Sequence, residues 1–204
     1  MTPESTLLPP TVLDPRLLVM VPRAERAAVT ALWRLEARLF DVVAYRSEVM
    51  LAQIKLAWWR DRLAQVSADP AALPKGEPLL AALAVHWHGR AALSPLVDAY
   101  EAIMLAEDAD MLSAAGEVLG RAMGEIMGCD AGAGRQWGLV RAAQLAADAE
   151  LHTVTLGCVI TAQAGPGHRL LRALDRWALL LAHGGGTASP RAEGWLLLRA
   201  GIGL

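Results

Sequence analysis

Asp148 and His152 lie four residues apart, the spacing that puts two side chains on one face of a helix. A carboxylate there suits a hard cation, but an imidazole is a poor ligand for magnesium. Asp41 follows Arg38 by three residues and reads either as a ligand or as half of an ion pair. Arg38, Lys55 and Arg60 are cations suited to clamping a phosphate, and Trp58-Trp59 could wall an apolar ligand. At helical spacing, core packing is the commoner use of such a pair. His86 and His88 point to nearly opposite sides of a helix, so they cannot chelate one ion well. Asp98, Glu101, Glu107, Asp108 and Asp110 lack the glycine and spacing of a calcium loop and read as a solvated face and helix end. Gly128, Gly132, Gly134 and Gly138 have no preceding strand and no following Lys-Ser/Thr, so an inter-helix loop fits better than a phosphate loop.

The elements that must position these residues are helical by their periodicity. Residues 1–21 contain Pro3, Pro9, Pro10 and Pro15 and are expected to form an irregular arm ahead of one domain, 22–204. Helices are expected at 25–45, 47–66, 78–88, 94–106, 111–128, 136–164, 167–183 and 190–200. Pro22 suits a first helical turn, and Ser47 is placed to cap the second helix. That second helix is apolar on two faces, with Leu51, Ile54 and Trp58 on one and Leu56, Trp59 and Leu63 on the other, which predicts a central position. The β-branched run from Thr153 to Thr161 has no partner strand, so it is expected to be helical with a distortion at Gly157. The class is all-α.

A chain of 204 residues, 54% apolar, has material for a sizeable core. Net charge of −2 gives no footprint for nucleic acid. Cys129 and Cys158 have no motif spacing and read as free thiols of a reducing compartment. The start lacks the basic and apolar regions of a signal peptide, and no uncharged run spans a bilayer, so a cytoplasmic location is expected. A mean hydropathy of +0.33 leaves contact with a membrane surface open. The run Trp195-Leu196-Leu197-Leu198-Arg199 either docks on the protein's own core or presses on a membrane or partner.

The segments Arg26-Ala27-Ala28-Val29-Thr30-Ala31-Leu32-Trp33 and Met50-Leu51-Ala52-Gln53-Ile54-Lys55-Leu56-Ala57-Trp58-Trp59-Arg60-Asp61 resemble the first two core helices of the squalene/phytoene synthase family. Lys55 stands where arginine is usual there. Glu77-Pro78-Leu79-Leu80 resembles the family's next helix start, with Glu77 in place of histidine, and the likeness covers roughly residues 15–150.

The resemblance implies an isoprenoid-synthase-like helical bundle, here shortened at the C-terminus. Active members join two prenyl diphosphates, which needs Mg²⁺ held by two Asp-x-x-x-Asp pairs facing each other across an apolar tunnel. The first pair falls at Phe40 and Ala44, leaving Asp41 as the acid between them, and the second region offers Asp148. This loss of aspartates resembles the degenerate branch containing the mitochondrial complex I assembly factor. The implied function is a lipid- or isoprenoid-binding or assembly protein without prenyltransferase activity. The alternative is an Mg²⁺-dependent transferase with a rearranged site built on Asp41 and Asp148. The implied ligand-binding residues are Arg38, Phe40, Asp41, Ala44, Lys55, Trp59 and Asp148, with no catalytic residue or cofactor expected and Mg²⁺ only under the alternative. The expected partners are an apolar or isoprenoid ligand, a protein or a membrane surface, and not nucleic acid.

Overall fold

Apolar stripes at helical spacing run almost the whole length of the chain, and every regular element among the described residues of the computed structural model is a helix. The structure describes residues 15–73, 76–129, 132–163, 165 and 167–202. Among these the helices are α1 (Pro15–Leu18), α2 (Arg26–Ala44), α3 (Val49–Ala68), α4 (Pro78–Trp87), α5 (Ser94–Leu105), α6 (Ala109–Ile126), α7 (Arg135–Gln144), α8 (Ala149–Thr161), α9 (Arg169–His183) and α10 (Pro190–Ile202). Short 3-10 turns lie at Arg23–Glu25 and Pro70–Ala72, and no strand occurs among the described residues.

Several expectations change. Residues 1–14 of the expected arm lie outside the described residues, but its end is not irregular surface. Pro15–Leu18 is a helical turn, and Leu17, Met20 and Val21 are buried in the core. Glu48, not Ser47, is the N-cap residue of α3. The helix expected over 136–164 is two helices, α7 and α8, broken at 145–148. The reason is local: Asp148 Oδ1 accepts from Leu151 N at 2.9 Å, and the His152 Nδ1–H donates to Ala143 O at 2.8 Å. One residue starts the new helix and the other satisfies a carbonyl at the end of the old one. By contrast α8 runs through Gly157 without a break.

The last change concerns α3, which is peripheral. It buries Ala52, Leu56, Trp59, Leu63 and Val66 and leaves Met50, Leu51, Ile54 and Trp58 exposed. The deep core instead lies between α2, α5, α6 and α7, where the Trp33 and Trp137 rings meet at 5.9 Å. The α6–α7 contact is made of glycines: a Cβ on Gly138 would lie 2.2 Å from Gly116 O, and one on Gly120 would lie 2.4 Å from Gly134 O. Helix α9 completes this core with Leu170, Leu171, Leu174 and Trp177, so the C-terminal segment is integral to it.

Candidate functional site

The sequence candidates Arg38, Asp41, Lys55 and Trp59 come together. With Val42, Tyr45, Ile54, Trp58 and Glu77 they line an open groove of about 620 Å³ between α2, α3 and the start of α4. Helical register explains the gathering. Asp41 and Val42 lie three and four residues after Arg38 on α2, Tyr45 caps the end of that helix one turn on, and Ile54 and Trp58 are one turn apart on α3. Trp59 forms part of the floor at 5% exposure, while Trp58 stands at 40% exposure on the rim. Their rings meet edge to face, 5.0 Å between centroids and 82° between planes. The sequence reading did not include Glu77 in this site; its side chain accepts from Leu79 N, capping α4, and it also borders the groove.

Phe40 is turned away from that groove, toward the core. The guanidinium of Arg141 lies 3.8 Å above the centre of its ring. Arg141 in turn donates from Nε to Glu36 Oε1 at 2.7 Å, and Tyr100 Oη donates to the same oxygen at 2.5 Å. All three polar residues are buried. Burial works against the Arg141 charge, but the adjacent Glu36 carboxylate more than restores it, and the Arg141 pKa rises above its ordinary value. Burial, reinforced by the Glu36 charge, drives the Tyr100 phenol well above its usual range, so it stays a donor. A protein cation therefore occupies the ring face at the first position where the resemblance calls for a metal-binding carboxylate. The second position, Ala44, is exposed and is not part of the lining of that groove.

Asp148 does not join Asp41. It is exposed, engaged as the N-cap of α8, and absent from the groove lining. Its apparent partner His152 is taken by Ala143 O. Arg60, a candidate phosphate clamp, is held on the α5 side by Asp98 Oδ1 at 2.8 Å and Glu101 Oε2 at 2.6 Å. Among the described residues no group of three His, Cys, Asp or Glu side chains is arranged to hold a metal ion.

Two further carboxylates escaped the sequence reading. Asp175 on α9 accepts from Gly134 N at 2.9 Å and Trp137 N at 3.0 Å, filling the positive end of α7 with the protein's own anion. The glycine-rich loop before α7 thus receives a side chain from within the chain. Glu193 on α10 accepts from Trp177 Nε1 at 3.0 Å. For Glu36 and Asp175 the signal was an acid inside an apolar stripe, Glu36 among Trp33, Leu39 and Val43, and Asp175 among Leu171, Leu174 and Ala178.

Comparison with known proteins finds no matching family model, no matching curated protein and no matching solved structure.

Proposed function

We propose that this chain is a non-catalytic binding protein on an isoprenoid-synthase-like scaffold, holding an amphiphilic, isoprenoid-type ligand in the groove between α2 and α3. The observation that carries the reading is the stacking of Arg141 on Phe40. A diphosphate leaving group needs several carboxylates to gather Mg²⁺ around it. Here one required position is an aromatic ring under a fixed guanidinium, and the nearest acid, Asp41, faces the outer groove without Asp148. That groove pairs cations at Arg38 and Lys55 with apolar surface from Tyr45, Ile54, Trp58 and Trp59, which suits an anionic head with a prenyl tail.

Two assays on the purified chain test this. With Mg²⁺ and farnesyl or geranylgeranyl diphosphate, no diphosphate is released. Without Mg²⁺, farnesyl diphosphate raises the melting temperature, because a ligand that binds only the folded state stabilises it. Lys55→Ala weakens that binding by about tenfold, the usual scale for one charge-assisted contact. Mg²⁺-dependent diphosphate release would establish the transferase reading instead, and the absence of any melting shift would remove the ligand.

A further inference from the structure

Helix α3 is covered on one side only. Ala52, Leu56, Trp59, Leu63 and Val66 are buried. The opposite side carries the row Met50, Ile54, Ala57, Trp58 and Asp61, and every one of these is exposed. A surface helix ordinarily places charge on that side. Here the row holds a single charge, Asp61 at its far end, while Met50 is 70% and Ile54 59% exposed. Leu51 lies beside them and is also exposed. Tyr45, at the end of α2, extends the patch, because it borders the same groove as Ile54 and Trp58.

We infer that this face is the contact between two copies of the chain, with α3 packed antiparallel on α3 about a two-fold axis at Ile54. Area is the first reason. Tyr45, Met50, Leu51, Ile54 and Trp58 together expose on the order of 600 Å², the upper end of what a monomer leaves bare and close to the roughly 800 Å² per partner that a stable dimer buries. Self-complementarity is the second. A two-fold contact sets each residue level with the one equally far from the axis on the other side. Met50 of one copy comes level with Trp58 of the other, a thioether beside an indole ring, and Ile54 meets Ile54. Asp61 comes level with Ser47, a hydroxyl able to donate to it, so the one charge of the row meets no like charge. A membrane surface matches less well, since the row holds no basic side chain and ends in a carboxylate. The second copy also supplies α3 with the second buried face that its sequence predicts. It lies across the mouth of the groove between α2 and α3, but the contact needs no ligand and does not depend on what that groove holds.

Sedimentation of the full chain, without ligand, tests the inference. Across micromolar concentrations the wild type runs at twice its monomer mass of 21.7 kDa. Ile54→Glu sets two carboxylates against each other on the axis and weakens the dimer by about a hundredfold, leaving a monomer with unchanged circular dichroism. Ile54→Cys forms a disulfide-linked dimer on oxidation, because a residue on the axis lies within bonding reach of its own counterpart. Val85→Cys, on α4 and 76% exposed, does not, and neither does the wild type with Cys129 and Cys158. A monomer at every concentration overturns the inference. So does a dimer indifferent to Ile54→Glu, or equal cross-linking of Ile54→Cys and Val85→Cys. A monomer that floats with lipid vesicles, and loses that binding in Ile54→Glu, overturns it in favour of a membrane on the same face.

Discussion

A carboxylate inside a helical core must be met by donors or by a cation, and this chain uses both solutions. Glu36 is met by Arg141 and Tyr100, and the pair was bought at the desolvation of two charges, so its removal is informative only when the partner is considered. Glu36→Gln leaves Arg141 buried without a counter-charge and is expected to destabilise the fold by about 3–5 kcal/mol in denaturant titration. Replacing Glu36 and Arg141 together by methionine recovers most of that loss, since no buried charge then remains. Asp175 is met by backbone N–H groups alone, and burial raises its pKa from 3.8 to about 6 against those hydrogen bonds. The folded chain therefore keeps the Asp175 proton over a range where the unfolded chain has released it. This contribution is fully present below pH ~4, falls as the pH rises toward ~6 by roughly 3 kcal/mol in total, and is flat above that. Asp175→Asn has nothing to titrate, so the stability difference between wild type and variant must slope across pH 4–6; a flat difference would show that Asp175 is not shifted. Both residues were visible in the sequence as acids on apolar stripes. What the sequence does not carry is the partner, since Arg141 lies over a hundred positions from Glu36 and meets it only through packing.

Helix boundaries were legible wherever a proline or a glycine cluster marks them, as at Pro78, Pro190 and the glycines from Gly184 to Gly186. The α7–α8 break was not, because its stop is a histidine ring from the next helix reaching back to Ala143. Nor was the outer position of α3, whose two apolar faces look alike until the tertiary fold buries only one. The glycines show the same division. Gly138, grouped in sequence with the glycines of an inter-helix loop, lies inside α7 as Gly157 lies inside α8, yet Gly138 abuts the backbone of Gly116 and Gly120, while a Cβ on Gly157 would meet nothing within 4 Å. Gly138→Ala must push α6 and α7 apart, since the atoms it strikes belong to the backbone, and is expected to cost at least about 3 kcal/mol. Gly157→Ala gains the helix preference of alanine and stabilises by about 0.5–1 kcal/mol. Chemical denaturation of the two variants side by side checks the pair, and equal effects would contradict the packing at the α6–α7 contact.

At the scale of the molecule, the all-α class followed from periodicity, and the placement of four site candidates in one groove followed from the register of two helices. The fate of the C-terminal third did not follow, because amphipathic helices can dock inward or present a face outward with the same pattern. The structure gives α9 and α10 different weights. Helix α9 is buried along Leu170, Leu171, Leu174 and Trp177, and its Asp175 closes the end of α7. Helix α10 contributes Leu197 to the core and Glu193 to Trp177, and leaves Trp195 and Leu198 outside. Two truncations separate these roles. A chain ending at Ser189 loses buried Leu197, half-buried Leu196 and one buried hydrogen bond, at least about 3 kcal/mol, and should unfold cooperatively with a melting temperature lowered by about 6–12 °C or more. A chain ending at Gln163 also loses the whole of α9, uncovers Leu139 and Val140, and strips the N–H groups of Gly134 and Trp137 of their acceptor. That loss exceeds the marginal stability of an ordinary domain, so the shorter chain should show no cooperative thermal transition. If the chain ending at Gln163 melted as sharply as the one ending at Ser189, α9 would be an appendage, and the core would close without it.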